Sequence, residues 1–349
     1  MSKFISEEVK LTYDDVLLYP RESLLSRTEA DISQEIDKIG KVTHPIIPAN
    51  MDSIVSGELV KESLDNGGIT ILHRYMSFSD RILLSRSHGK FNALGFISIG
   101  VTEEEISCAE ATLRQNPYAK FCIDIAHGHS KKVTDAISRL KAESNGKTTI
   151  IAGNVATTEG FLELAKAGVD IIKVGIGPGS HCTTRVVTGC GYPQLSAILE
   201  ICKTRDELEE FGKYIYIIAD GGIKNSGDMV KAIAAGADFV MTGSLFAGCT
   251  ETPGVIVDLN GKKCKQYRGM ASRAAQSDWF GKDVDTPEGE ASLVSVKPPF
   301  SQVLKTLIGG IKSGMSYLNC RTIKELQKES KFIKVTANTL IENLPRLSG

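Results

Sequence analysis

IIKVGIGPGSHCTTRVVTGCGYPQ, residues 171–194, opens as a run of β-branched apolar residues and turns into a glycine-rich polar loop. The run is continuous rather than alternating, as in a strand covered on both faces of a parallel sheet. Seven more runs have this character: HPIIPA (44–49), GITILH (68–73), ALGFISIG (93–100), KFCIDIAH (120–127), TTIIAGNV (148–155), YIYIIADGG (214–222) and DFVMTGS (238–244). Between them lie SGELVKESLDNGG (56–68), SKKVTDAISRLKAES (130–144), TEGFLELAKAGVD (158–170) and SGDMVKAIAAGAD (226–238). Their apolar residues recur at helical spacing, and three of the four reach a glycine where a helix would stop.

Eight strand–helix units packed into about 200 residues predict an α/β chain folded as a (β/α)8 barrel. A doubly wound dinucleotide-binding sheet would carry G-x-G-x-x-G after its first strand. Here PANMDS (48–53) stands at that point, and GIGPGS (175–180) comes sixth and lacks the third glycine. Barrel chemistry belongs on the loops after the strands. Polar and glycine residues gather there: Asn50 and Asp52, His73 and Arg74, Asp124 and His127, Asn154, Gly177 to Arg185, Asp220 to Gly222, and Gly243 with Ser244. That asymmetry predicts an enzyme.

Residues 245–299 are poorly periodic, with one hairpin-like signal, VIVDLNGKKCKQYRG (255–269). Loops of this length usually act as lids, so a flap is expected at approximately 265–299, after the eighth strand. Helical pattern returns in FSQVLKTLIGGIKSGMSYL (300–318) and TIKELQKES (322–330), expected to pack outside or at the foot of the barrel.

The 349 residues suit a single catalytic domain spanning 1–349. Lys+Arg 41 against Asp+Glu 42 leaves a net charge of −1, so no basic excess draws the chain to nucleic acid. The N-terminal MSKFISEEVKLTYDD lacks a signal-peptide pattern. No apolar run reaches the roughly 18 residues of a membrane span, so a cytoplasmic location is expected. Eight cysteines include no C-x-x-C pair and read as reduced thiols, mostly buried. His127 and His129 form H-x-H without a third ligand in sequence, which speaks against a metal there.

Cys182 is set apart by its loop. Glycines 175, 177, 179, 189 and 191 let the backbone approach a ligand closely, and successive backbone dipoles can hold an anion or a small cation. A thiol gains nucleophilicity beside donors or positive charge; Arg185 and the loop amides are the candidates. Gly221–Gly222 and Gly243–Ser244, after the seventh and eighth strands, make the usual barrel phosphate cradle, with Ser180 and Tyr267 as further contributors.

The loop resembles the IMP dehydrogenase and GMP reductase family, and the resemblance runs through LTYDDVLLYP (11–20), PANMDS, DIAHGHS (124–130), IAGNV (151–155), ADGGI (219–223), MTGSLFAG (241–248), YRGM (267–270) and PEG (287–289). It implies that Cys182 attacks carbon 2 of a purine nucleotide. It implies further that Asp220 binds the ribose hydroxyls, and that Gly269, Met270 and Ala271 meet the base. Arg74, Asp124, Ile125 and Ala126 would face the nicotinamide cofactor, and Ser26 with Arg27 a neighbouring subunit's cofactor. Carbonyls of Gly177, Gly179, Cys182 and Arg185 would bind K+. A homotetramer is implied as well.

The family runs two reactions: oxidation of IMP with NAD, and reductive deamination of GMP to IMP and ammonia with NADPH. The oxidation needs activated water, which an Arg-Tyr pair on the flap supplies. In ASRAAQSDWFGKDVDTPEG (271–289) that place holds Asp278, Trp279 and Phe280. HRYMSFSDRILLSRSHGKFNALGF (73–96) runs on with no regulatory CBS insertion, and TGCGYPQ (188–194) resembles the reductase form. These favour reduction of GMP, with Cys182, Thr184 and Glu288 catalytic. LTYDDVLLYP, NGGITILHR (66–74) and Asp285 pull toward the alternative, a minimal dehydrogenase lacking the CBS module. A silent nucleotide-binding barrel would have no use for the three catalytic residues together.

Overall fold

The computed structural model describes residues 8–209, 214–281 and 285–344. Part of the expected flap (282–284) and both chain ends lie outside the described residues.

Eight parallel strands follow the expected runs: β1 Ile46–Pro48, β2 Thr70–Leu72, β3 Gly95–Ile99, β4 Phe121–Asp124, β5 Ile150–Val155, β6 Ile171–Val174, β7 Tyr216–Asp220 and β8 Phe239–Thr242. Each pairs with its sequence neighbour from β2 to β8, and β8 pairs back onto β1, with Met241 opposite Ile47. β1 and β2 pack side by side without a ladder between them, leaving a nearly closed barrel. β2, β3, β6 and β8 are buried at every position. Burial on both faces is why these runs do not alternate.

The outer layer is α1 Gly57–Asp65, α2 Phe78–Ser85, α3 Glu103–Gln115, α4 Lys131–Glu143, α5 Thr158–Ala167, α6 Gln194–Glu209, α7 Ser226–Ala234 and α8 Phe300–Tyr317. Side chains of Ser56, Thr157 and Asn225 cap the starts of α1, α5 and α7. α5 ends at Gly168 in the left-handed region, φ 100°, where a side chain would be strained. The long helix α8 packs on α7 and α1. It is therefore the eighth barrel helix, separated from its strand by the flap rather than appended at the foot.

The flap carries more regular structure than its single hairpin signal foretold. β9 Val257–Leu259, β10 Lys262–Arg268 and β11 Ala291–Ser295 form a three-stranded antiparallel sheet, and a flap helix covers Arg273–Phe280. Two lysines root it: Lys265 Nζ donates to the carbonyls of Cys249, Thr250 and Thr252, and Lys297 Nζ to those of Ser244 and Leu245. A separate two-stranded ladder joins segments far apart in sequence. Val16–Leu18 pairs antiparallel with Phe332–Lys334, Leu17 opposite Ile333. Among the described residues no helix is long and apolar enough to cross a membrane.

Candidate active site

The loops after the strands converge on a cavity of about 630 Å³ at the C-terminal mouth of the barrel. Cys182, Thr184 and Glu288 line it. So do Ser180, Asp220, Gly221, Gly222, Gly243, Ser244, Tyr267, Gly269, Met270 and Ala271, together with Arg74, Asp124, Ile125, Ala126, Gly177, Gly179 and Arg185. Ser26 and Arg27 do not: both are exposed, away from the cavity, with Ser26 bonded to Thr28 and Glu29.

The cysteine loop is laced to the flap. Thr183 N donates to Glu288 O (3.1 Å), Glu290 N to His181 O (3.0 Å) and Glu288 N to Ala271 O (3.1 Å). These backbone bonds bring three side chains into a row. The Cys182 thiol donates to Thr184 Oγ1 at 3.2 Å, and that hydroxyl donates to Glu288 Oε2 at 2.8 Å. A proton path thus runs from sulfur to carboxylate through one hydroxyl.

Arg185 serves the loop's shape. Its guanidinium donates to the carbonyls of Ile176 and Tyr192. A Cβ at Gly177 or at Gly191 would sit 2.5 Å from Arg185 Cγ, so those glycines exist to let the arginine pass.

On the far wall, Lys173 is buried between two carboxylates, 2.6 Å from Asp124 and 3.6 Å from Asp220. Burial alone would lower its pKa and raise that of Asp124; their mutual attraction outweighs it, so Lys173 is raised and Asp124 lowered. Asn154 Nδ2 holds Asp220 Oδ2 at 2.8 Å, and Gln194 Nε2 reaches the carbonyl of Asp220 at 3.3 Å. Met270 O accepts from Tyr75 OH and Gln276 Nε2, which fixes the segment expected to face the base. Sequence reasoning passed over Lys173, Gln194, Gln276 and His181. For Lys173 a signal existed: a lysine inside a strand covered on both faces must be paired.

The flap helix is tied to the β1 loop. Arg268 bridges Asp52 (2.6 Å) and Asp278, and Trp279 Nε1 donates to Asp52 Oδ2 at 2.7 Å. Asp278 and Trp279, standing where the dehydrogenase pair was sought, are spent on this anchorage.

Comparison with known proteins agrees with the geometry. The family described as IMP dehydrogenase / GMP reductase domain matches residues 10–346. A human protein, GMP reductase 1, is 37% identical over 340 residues, covering 95% of this chain and 97% of that one. An inosine-5'-monophosphate dehydrogenase of Rhodopirellula baltica is 47% identical over 234 residues, 64% of this chain and 42% of that one. The crystal structure of a Trypanosoma brucei GMP reductase in complex with guanosine 5'-monophosphate superposes with a TM-score of 0.88 at 25% identity, covering 99% of each chain. The chain is an enzyme of the IMP dehydrogenase/GMP reductase family.

Proposed function

We propose that this enzyme is a GMP reductase, converting GMP to IMP and ammonia with NADPH through a covalent bond to Cys182. The Cys182–Thr184–Glu288 row carries the reading. The thiol proton passes through Thr184 to Glu288 as sulfur adds to carbon 2 of the purine. The same path returns that proton to the departing amine, because amide ion does not leave unprotonated. Nucleotide and thiol become a thioimidate plus ammonia, with every proton accounted for. Arg74 lines the cavity, and its Nε is buried without a partner among the described residues, which fits a polar ligand such as a nicotinamide nucleotide. Arg74, Asp124, Ile125 and Ala126 would hold that cofactor, which supplies the hydride. Once carbon 2 is reduced, sulfur leaves as thiolate, and a second proton, taken up by Glu288 from solvent, reaches it by way of Thr184.

Carbonyls of Gly177, Gly179 and Cys182 are donors of the kind that bind K+. Arg185 can join only through its carbonyl, which already accepts Gly189 N–H at 3.1 Å. Exchange of K+ for Li+ in the assay checks this site, and light scattering checks the homotetramer that the reading includes. The location expected for such an enzyme is cytoplasmic.

The runner-up is a minimal IMP dehydrogenase, favoured by the high local identity to that branch. The anchored Asp278 and Trp279 leave no free Arg-Tyr pair to activate water, which favours the reductase. One spectrophotometric experiment separates them: NADPH consumption with GMP supports the reductase, and NADH production from IMP and NAD overturns it.

A further inference from the structure

His181 sits in the middle of the cysteine loop, and none of the roles above uses its side chain. Its Nδ1 lies 3.3 Å from Ser180 Oγ, and its Nε2 lies 2.7 Å from Ser292 Oγ on β11. The imidazole meets the Tyr267 ring edge-on, centroids 4.3 Å apart. Ser180 Oγ is in turn 3.5 Å from Tyr267 OH. His181, Ser180 and Tyr267 all line the cavity. A Cβ at Gly243 would come 2.7 Å from Tyr267 OH, and one at Gly221 would come 3.2 Å from Gly179 N. The imidazole therefore borders the glycine cradle assigned to phosphate.

We propose that His181 is a positioning residue for recognition of the nucleotide's 5′-phosphate, acting through Ser180 and linking the phosphate to the flap through Ser292. The inference rests on the nucleotide reading above and deepens it. A serine hydroxyl has one proton. If Ser180 gives that proton to a phosphate oxygen, its own lone pair needs a donor, and Nδ1–H is in place to be one. That choice fixes the tautomer, so Nε2 accepts from the Ser292 hydroxyl. A directed chain results, from β11 through the imidazole and Ser180 to the phosphate. Without the imidazole the hydroxyl is free to rotate toward Tyr267 or water, and the anion loses a pre-aimed donor. The proposal needs only the neutral ring.

The test is isothermal titration of the full-length protein with GMP and with guanosine, which differ only in the phosphate. His181→Phe keeps a ring against Tyr267 and removes both nitrogens. It should weaken GMP roughly tenfold, the scale of one hydrogen bond to a charged group, and leave guanosine unchanged. His181→Gln, which keeps an amide donor, should recover part of the loss. Should the phenylalanine variant not fold, Ser292→Ala cuts the same chain from the flap end and should produce a smaller loss confined to GMP. Equal losses for both ligands, or no loss for GMP, overturn the proposal while the nucleotide reading stands. A wild-type protein that does not prefer GMP to guanosine overturns both.

Discussion

Thr184 and Glu288, 104 residues apart in sequence, are joined by a hydrogen bond of 2.8 Å from hydroxyl to carboxylate. The flap must be docked for this bond to exist, because Glu288 belongs to the flap and Thr184 to the loop after β6. In the proposed scheme, catalytic competence and flap position are therefore one condition. Glu288→Gln should lower kcat roughly 100-fold, within the range for losing a general acid–base group, with the deficit in ammonia release. Single-turnover absorbance of NADPH together with quenched-flow ammonia detection checks it.

Cys182→Ala removes the sulfur and leaves the cavity wall standing. Turnover should vanish while GMP still binds with near wild-type affinity by titration calorimetry. Turnover near the wild-type rate would rule out the covalent scheme.

Lys173→Met leaves Asp124 and Asp220 facing each other with their shared cation gone. Breaking such a buried pair costs on the order of 3 kcal/mol, and the partial exposure of both carboxylates keeps the loss at that lower end. Urea denaturation measures it. Lys173→Arg should keep much of the stability but lose activity, since a longer fork displaces both carboxylates.

Asp52→Asn should loosen the flap helix. Trp279 is the chain's only tryptophan, and its indole N–H is bonded to Asp52, so its emission should shift to the red when the tie fails. A several-fold fall in kcat with a smaller change in KM is expected, because charge-assisted bonds at this anchor are replaced by weaker neutral ones.

Acid should unfold the protein through two histidines. Burial lowers both His44 and His73 from 6.5 to about 4. The unfolded chain then binds protons that the folded chain refuses. Their contribution is fully present above pH 6.5 and is lost as pH falls through about 4. Urea midpoints between pH 7 and pH 4.5 should decline, and His44→Phe should flatten part of that slope.

The barrel was legible because continuous apolar runs and helical spacing are local patterns. That Cys182, Asp220 and the GG and GS pairs line one cavity was legible because polar and glycine residues gather on the loops after the strands, which converge at the barrel mouth. The rest depends on partners far away in sequence. Lys173 makes sense only beside Asp124, which is 49 residues distant. The strand Ala291–Ser295 alternates weakly and is specified by its pairing with β10, Tyr267 opposite Ser292. Asp278 and Trp279 were read as losses from a catalytic pair; only Asp52 and Arg268 show what they do instead.

The pairing of Val16–Leu18 with Phe332–Lys334 has a bearing on biosynthesis. Tyr19 N donates to Lys331 O and Val335 N to Asp15 O, beside Thr12, Tyr13 and Asp14 at the cavity rim. Val16–Leu18 must wait, unzipped, until Phe332–Lys334 has been synthesised far later in the chain. A chain cut shortly before Phe332 would leave Val16–Leu18 without its partner strand and the barrel with a ragged rim, open to proteolysis there.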